Sequence, residues 1–534
     1  MKKLLILSIL FINTNISYSQ QLNQYIKGHF NGSYENYSQY YMEDQEIGAI
    51  LPPDKFGSNG FLKLDYNYGK FSAGMQVESY LPAILGYFPI GVKNQTKIVN
   101  KYFKYTDKKF SLQVGDFYEQ FGSGLVFRAF ENRQIGINNA MEGFNVHVQP
   151  FEFMKLKVVY GRTRKLMEYS NSLTRGLDAD VSLNKLLKIE SKENGVEVNV
   201  GGSYVGRYEE YVGPVADYPS NVDAFAGRFD LSAGGFTLDA EYVEKGPDPH
   251  LLNLESFQKG KALQVNSGFT KNNFGLSVTL RALTNMDFKA EREGEFLSIA
   301  PLNYIPALTK QHDYLTSNIY VYAAQVKGET GMQSDLYYTF KPGSKLGGKY
   351  GTKIAANFSI YQSLADSFDI FSIGKQKYFS DANIEIKKKW NKKFETTLAL
   401  QHIFYNTSVI QSASHESVNA IMVAFGGLYK WAPSKSVRFK LEHLATEQDN
   451  GNWASALTEL SLRSPWAFFA SDLYNYGVTK IHYYNFGASY TKNATRFSLG
   501  YGRQRAGLFC VGGVCRFVPA SYGFTATLTT SFAN

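Results

Sequence analysis

The two cysteines of the chain, Cys510 and Cys515, lie in the short stretch CVGGVC near the C-terminus. The central glycine pair predicts a tight hairpin turn in which Cys510 faces Cys515, a cross-strand arrangement that a disulfide can join. A ring this short stabilises a protein by about 2 kcal/mol at most, so the disulfide would shape a loop. A metal site is the weaker alternative, because no histidine lies near the two thiols.

The histidines of the chain show no spacing that is typical of a metal site or a catalytic triad. The eight are His29, His147, His250, His312, His402, His415, His443 and His482. We therefore expect no catalytic residues, no metal and no cofactor. A membrane-bound hydrolase remains the alternative, but the mere presence of serine, histidine and acidic residues is no evidence for it.

The segment 115–144 combines several glycines with closely spaced charges of both signs. Its candidate constriction residues are Asp116, Glu119, Arg128, Glu131 and Arg133. Exposed ion pairs are worth about 0–1 kcal/mol, whereas in a narrow lumen the same charges can hold a loop and set a field across a pore. We predict that this loop folds inward, with residues 302–314 as a candidate second loop; the alternative is a solvated surface loop with its own salt bridges.

The elements that carry these residues are predicted to be strands, because apolar and polar residues alternate along the chain. Stretches of this kind are SVRFKLEHL, KFETTLALQHIF and RFSLGYGRQ, in which one face is apolar and the other polar. The 38 Tyr, 40 Phe and 47 Gly beside only 15 Pro fit strands better than helices. A soluble β-sandwich also alternates, so the number and connection of the strands must decide.

The predicted hairpins have tight turns, such as YNYGKFS and FTKNNFG, and longer irregular stretches follow at 83–96, 121–141, 287–329, 362–376 and 406–416. Alternation of short turns with long loops is typical of transmembrane β-barrels. After the N-terminal segment no stretch is apolar enough for a transmembrane helix, and a bilayer otherwise admits only closed barrels. We predict one closed antiparallel transmembrane barrel of about 24 strands (range about 20–26), with both termini in the periplasm.

The N-terminal residues 1–19 have two lysines, a short apolar run and small residues, the order of a secretory signal peptide. We place cleavage near Ser19, and an uncleaved anchor helix is the alternative. Residues 20–534 then form the barrel with its long extracellular loops, and the protein resides in the cell outer membrane. The formal net charge of +9 is mild, and nucleic acid is not expected as a partner outside the cytoplasm.

The last predicted strand, YGFTATLTTSF, must pair with the first strand to close the barrel. Its apolar face contains Tyr522, Phe524, Leu528 and Phe532, which we expect the barrel-assembly machinery to recognise during biogenesis. Phe532 is followed by Ala533 and Asn534, a small departure from an aromatic terminus.

Three stretches of the chain resemble an uncharacterised family of large outer-membrane proteins of Bacteroidota. They are GDFYEQFGSGLVFRAFENRQIGINNAMEGF at 115–144, LNYIPALTKQHDY at 302–314 and GRQRAGLFCVGGVCRFVPAS at 502–521. The last stretch is the most specific. The resemblance implies the barrel and the outer membrane and gives no activity.

Two functions remain open from the sequence. The first is a porin-like channel with inward-folded constriction loops, since a wide barrel encloses water unless something fills it. The second is a non-transporting structural subunit of an outer-membrane machine for type IX secretion or barrel assembly, with other subunits of that complex as partners. In both cases outer-membrane lipid and lipopolysaccharide surround the barrel.

Overall fold

The computed structural model of the protein describes residues 28–87, 94–189, 195–211, 218–293, 300–367, 369–413, 417–463 and 465–534. Within these ranges the chain forms one barrel of 24 long antiparallel strands. The strands are β1 (His29–Tyr41), β2 (Phe56–Tyr68), β3 (Phe71–Tyr80), β4 (Gln95–Thr106), β5 (Phe110–Phe117), β6 (Met141–Phe151), β7 (Met154–Lys165), β8 (Leu173–Ser182), β9 (Val196–Tyr208), β10 (Asn221–Ala233), β11 (Phe236–Lys245), β12 (Gly260–Lys271), β13 (Phe274–Thr284), β14 (Gly328–Phe340), β15 (Thr352–Asp366), β16 (Asp369–Lys389), β17 (Phe394–Tyr405), β18 (Val418–Ala432), β19 (Lys435–Ala445), β20 (Trp453–Leu462), β21 (Trp466–Asn475), β22 (His482–Lys492), β23 (Thr495–Gln504) and β24 (Ser521–Ala533). The segment 1–19, predicted to be a signal peptide, lies outside the described residues.

The barrel closes where the last strand pairs with the first. β24 runs antiparallel to β1 in a register from Asn31 opposite Ala533 to Tyr41 opposite Gly523, and its other side pairs with β23. Every barrel strand thus has a neighbour on both sides, and its backbone groups are paired as a bilayer requires. The prediction of a closed antiparallel barrel of about 24 strands is confirmed.

The two ends of the barrel differ in their connections. At one end, which we call the turn end, the connections are short, as at 69–70, 234–235 and 493–494, and both described chain ends lie here. At the other end, the loop end, the connections are long, as at 118–140 and 285–327. The predicted alternation of short turns and long loops holds for most connections; the exceptions are the longer connections 183–195 and 341–351 at the turn end and the short connection between β15 and β16 at the loop end.

One predicted loop is wrong. Residues 362–376 do not form an irregular stretch, because β15 and β16 continue through it and Leu364 pairs with Ile373. Apolar β-formers in this segment let the ladder continue past bulges, so the hairpin extends beyond the neighbouring strands at the loop end.

The outer face of the barrel is apolar, and the inner face is mostly polar. On β19, Leu441 is exposed outward while Lys440 and Glu442 are buried inside, which confirms the predicted faces of this strand. Other exposed apolar side chains include Phe103, Phe144, Leu177, Phe225, Leu280, Phe358, Leu398, Leu400, Ile421, Phe425, Phe486 and Leu499. Aromatic pairs stand beside the short turns, such as Phe71–Tyr105 and Trp466–Tyr490. This is the apolar band with an aromatic girdle of a transmembrane barrel.

The remaining elements are short and lie between the barrel strands. The helices are Leu183–Leu186 and Thr407–Ile410, with 3₁₀ turns at Leu251–Asn253 and Ser317–Ile319. Small strand pairs join Glu119–Phe121 to Phe127–Ala129, Glu131–Asn132 to Ile137–Asn138 and Gly507–Val511 to Val514–Val518, while Glu168–Tyr169 pairs with β7. No helix in the described part of the chain has the length and apolar character to cross a bilayer.

Candidate functional site

Three segments of the loop end pack against one another, and together we call them the plug. Residues 118–140 and residues 300–327 fold into the lumen and contact the inner wall. The hairpin 507–518 packs against residues 300–327 through Tyr304, Ala307 and Tyr322. Tyr314 of the plug reaches far along the lumen, where its hydroxyl donates to Glu385 Oε2 on β16 at 2.7 Å. β16 ends four residues later, about 13 Å along the strand. The plug therefore reaches into the half of the lumen that lies near the turn end.

The first contact of loop 118–140 is made by Glu119, a predicted constriction residue. Its carboxylate binds His147 and Asn145 of β6 and accepts from Lys157 Nζ of β7 at 3.1 Å. Burial raises the pKa of Glu119, but the hydrogen bond from His147 and the charge of Lys157 outweigh it and lower the pKa to about 2. Glu119 is therefore ionised at physiological pH and anchors the loop to the wall.

Glu131 and Arg133 anchor the same loop to a different part of the wall. Arg133 Nε lies 3.0 Å from Glu131 Oε1, and its Nη1 lies 3.0 Å from Glu35 Oε1 on β1. Gln76 of β3 donates to Glu131 Oε1 at 2.8 Å. These charge-assisted hydrogen bonds run from the loop to β1 and β3, the strands on either side of β2. Ser123 of the same loop donates its backbone N to Glu241 Oε2 on β11 at 2.8 Å, so loop 118–140 extends across the lumen from β11 to β1.

Arg128 joins two segments of the plug to each other. Its guanidinium lies over the ring of Tyr304 at 4.0 Å and over that of Phe130 at 4.9 Å, and its backbone N donates to Leu302 O at 2.8 Å. No carboxylate forms an ion pair with Arg128 within the residues described. This cation–π contact holds residues 302–304 against loop 118–140.

Asp116 does not belong to this lumen group. Its carboxylate accepts from the hydroxyl of Tyr169 at 2.7 Å and from the backbone N of Lys101 at 2.8 Å. The next residue, Phe117, contributes to an apolar cluster inside the barrel, so the two side chains point to opposite faces of β5. Of the five predicted constriction residues, the structure therefore brings four to the plug, at three different contacts.

Residues 300–327 are bound to the opposite wall through a row of polar contacts. His312 Nε2 lies 2.6 Å from Asp381 Oδ2, and Lys310 donates to Asn383 Oδ1 at 3.0 Å, both on β16. Thr316 donates its backbone N to Glu442 Oε2 on β19 at 2.9 Å. Partners that lie 69 to 126 residues apart in the chain hold this segment inside the barrel.

The ends of loop 285–327 are fixed by a buried ion pair that the sequence did not reveal. Arg281 Nη2 lies 2.6 Å from Glu329 Oε1, and both side chains are 0% exposed. Arg281 also donates to Pro306 O at 2.6 Å, while Glu329 accepts from the backbone N of Gln325 at 2.6 Å and from the Tyr322 hydroxyl. Similar buried pairs join Arg164 to Glu78 and Arg207 to Asp248.

Two apolar clusters fill the space between the plug and the wall. One contains Phe121, Leu125, Phe127, Phe288 and Leu302 of the loops with Val159, Val205, Val243 and Leu283 of the strands. The other contains Ile319, Tyr320 and Tyr322 with Tyr361, Phe379, Tyr405, Met422 and Trp453 of the strands. The plug is thus packed against the lumen wall in the manner of a soluble protein core.

The cysteine hairpin is part of the plug. Cys510 and Cys515 form the predicted disulfide, with Cα atoms 4.0 Å apart, and Gly512 and Gly513 have φ of +59° and +78° in the turn between them. Positive φ at both turn positions is what such a turn requires, and glycine adopts it without strain. The Tyr304 hydroxyl donates to Gly512 O at 2.6 Å, so the hairpin is hydrogen-bonded to the segment 302–314.

Four histidines, His147, His250, His312 and His482, lie beside a carboxylate that their spacing did not predict, and no catalytic triad is found among the described residues. Ser317 Oγ donates to Gln401 and not to His312, so a serine activated by a histidine base is not assembled there. Among the residues that the structure describes, no three His, Cys, Asp or Glu side chains lie close enough together to hold a metal ion.

The closing strand places its predicted assembly residues on the outer face. Phe524 and Phe532 are exposed there, and the Tyr522 hydroxyl contacts that of Tyr501 on β23. The ring of Phe532 lies beside that of Phe30 of β1 in a tilted arrangement, with ring centroids 6.2 Å apart. Recognition of this face by the assembly machinery stays a prediction.

The barrel, its apolar band and its plug define a large transmembrane β-barrel of the outer-membrane type with inward-folded loops. The chain belongs to DUF6029, a family of unknown function whose sequence profile matches residues 1–532. The three stretches at 115–144, 302–314 and 502–521, on which a family resemblance was identified, contribute the three segments of the plug.

Solved structures match the chain at low sequence identity and low TM-score. The P pilus usher (PapC) translocation pore has a TM-score of 0.45 and 8% identity, covering 94% of this chain and 99% of that chain. The siderophore receptor PirA from Pseudomonas aeruginosa has a TM-score of 0.41 and 9% identity, covering 94% and 80%. The outer membrane protein opdK from Pseudomonas aeruginosa has a TM-score of 0.37 and 8% identity, covering 95% and 99%. Functionally curated proteins give no match to the sequence.

Proposed function

We propose that this protein is a porin-like channel of the outer membrane whose conductance is limited by its plug. The observation that carries the proposal is the reach of loop 118–140 across a polar lumen, from Ser123 at β11 and Glu119 at β6 and β7 to Arg133 at β1. A barrel of 24 strands is wide enough for an aqueous channel unless something fills it. The inward-folded charged loops would set both the size and the charge selectivity of the path. We expect transport and no catalysis.

The test is the conductance of the purified protein in a planar bilayer, compared with that of a variant lacking residues 123–139. This deletion removes Arg128, Glu131 and Arg133 and with them the contacts to β1 and to residues 302–304. We expect a folded barrel with severalfold higher single-channel conductance and altered ion selectivity.

The matched control is a deletion of residues 47–52 in loop 42–55, a segment in which Ile50 is 82% exposed and Ala49 is buried. This loop is at the same end of the barrel but is not part of the plug. The conductance of the variant lacking residues 47–52 should therefore equal that of the wild type. Unchanged conductance in the correctly assembled 123–139 variant would refute the constriction.

The proposed orientation places the turn end in the periplasm and the loop end outside the cell, because short turns are periplasmic in barrels of this type. Single cysteines in a variant carrying Cys510→Ser and Cys515→Ser report it by labelling of intact cells. A labelling site at the loop end must be exposed to the reagent. Leu254 is 79% exposed there, whereas Ala307 in the plug is only 6% exposed, so Leu254 is chosen for the cysteine. We expect labelling of Leu254→Cys and none of Lys492→Cys; the reverse pattern would show that the orientation is inverted.

A second candidate function is a structural subunit of an outer-membrane machine. The loop end presents exposed apolar side chains, with Ile50 at 82% and Phe371 at 69%, and such surfaces favour binding of a partner. Zero conductance in both the wild type and the 123–139 deletion, together with a partner that co-purifies stably, would favour this function over the channel.

A further inference from the structure

We propose that a cavity at the turn end of the lumen binds a cationic organic solute. This inference rests on the channel function proposed above and names the class of solute that the channel carries. The cavity has a volume of about 540 Å³ and is lined by loop 118–140 and by strands β7, β8 and β10 to β12. We call it the acidic cavity, because its lining contains the six carboxylates Glu119, Asp178, Asp180, Asp230, Asp239 and Glu241. The cations of the lining are Lys157 and Arg228.

Both cations are already bound by carboxylates of the same lining. Arg228 Nη2 donates to Asp178 Oδ1 at 2.7 Å and to Asp180 Oδ1 at 2.8 Å. Lys157 Nζ donates to Glu119 Oε1 at 3.1 Å. With every group ionised, the lining has an excess of four negative groups. The field in this part of the lumen therefore attracts cations and repels anions.

Two of the carboxylates face each other without a cation between them. Asp230 of β10 lies directly opposite Asp239 of β11 in the strand register. Like charges in directly opposite positions destabilise a sheet. In the described part of the chain, no lysine or arginine nitrogen forms an ion pair with either carboxylate. A cationic ligand at this pair would remove the repulsion.

Glu241 is the second feature that points to a ligand. It is only 5% exposed, and its Oε2 accepts from the backbone N of Ser123 at 2.8 Å. Its Oε1 is buried and has no hydrogen-bond partner among the described residues. A buried carboxylate oxygen without a donor is costly, because it has lost water and gained nothing in exchange. An ammonium or guanidinium group in the cavity would supply the missing donor.

Gly122 shows that the loop is fitted closely to this carboxylate. It has φ of +52°, and a Cβ atom added to it would lie 2.6 Å from Glu241 Oε1. A side chain at this position would be strained by the positive φ and would crowd the Glu241 carboxylate and the Arg228 side chain, so glycine suits this contact.

The lining fits an organic cation better than a metal ion. No cluster of three metal-ligating side chains is present in the described residues, so the carboxylates are not arranged around a single point. The volume is in the range of small-molecule sites. Gln264 and Asn266 add amide groups that can both donate and accept. These features suit a solute that carries two or more amino or guanidino groups.

The test is isothermal titration of the full-length protein in detergent micelles with spermidine as the probe. We expect saturable binding that weakens with salt, and a loss of affinity of about tenfold or more in the double variant Asp239→Asn/Glu241→Gln. Asp230→Asn should weaken binding in the same direction. The control is Glu459→Gln, which alters a lumen carboxylate outside the acidic cavity and should leave the affinity unchanged.

Three results would overturn the inference: no binding of spermidine to the wild type, equal affinity in the folded double variant, or binding of MgCl₂ as tight as that of spermidine. Retention of the compact barrel by each variant is checked by its mobility on electrophoresis without heating. The titration does not depend on ionic current. Conductance without spermidine binding therefore defeats this inference alone, whereas binding without conductance defeats the proposed channel alone.

Discussion

Glu329→Ala is expected to lower the free energy of unfolding by about 3–5 kcal/mol, since removal of one partner of a buried ion pair leaves the other charge uncompensated. Arg281 and Glu329 are 0% exposed and lie 2.6 Å apart. The substitution also takes the acceptor from the Tyr322 hydroxyl and from the Gln325 backbone N. Both ends of loop 285–327 should then detach from the wall together.

The measurement is urea-induced unfolding of the folded barrel, with limited proteolysis of residues 300–327 as a local readout. Glu459→Ala is the matched control, because its pair with Arg438 is about half exposed and such pairs contribute about 0–1 kcal/mol. Glu329→Gln should fall between the two, since it keeps a hydrogen-bonding side chain and loses the charge. Equal stability of the Glu329→Ala and Glu459→Ala variants would show that the buried pair does not hold the plug.

The barrel could be predicted from the sequence because its cause is local. A strand between lipid and water alternates residue by residue, and the turns show their own residue types. The same locality explains the disulfide, since Cys510 and Cys515 are brought together by a turn of two glycines between them. The wrong prediction at 362–376 has the same origin. Polar residues interrupt the alternation there and are typical of a loop, although Leu364 and Ile373 still pair in a continuing ladder.

The contacts of the plug could not be predicted because they are not local. Alternation shows which face of a strand Glu442 occupies, but not that Thr316 will reach it across 126 residues of chain. The pair of Arg281 and Glu329 depends likewise on where a long loop returns. The one signal available was the resemblance of three separate stretches to one family, and these are the segments that meet through Arg128, Tyr304 and Gly512.

Phe439→Arg is expected to prevent most of the protein from assembling as a folded barrel. Phe439 lies near the middle of β19, on the face that carries the exposed Leu441, and its ring packs beside Phe425 with centroids 5.9 Å apart. An arginine on the lipid face near the bilayer midplane costs about 2–4 kcal/mol, because its charge loses water without gaining a partner. Phe439→Leu keeps an apolar side chain and should assemble normally.

The matched control is Arg438→Ala, one residue earlier on the lumen face, where the arginine is about half exposed and paired with Glu459. Its loss should change the folded fraction little, since exposed pairs contribute about 0–1 kcal/mol. Lys440 is unsuitable as a control, because it is buried and donates to Asp313 O of the plug at 2.6 Å. The folded fraction in isolated membranes, read from electrophoretic mobility with and without heating, decides the matter. Normal assembly of Phe439→Arg with failure of Arg438→Ala would mean that the lipid and lumen faces of β19 are exchanged.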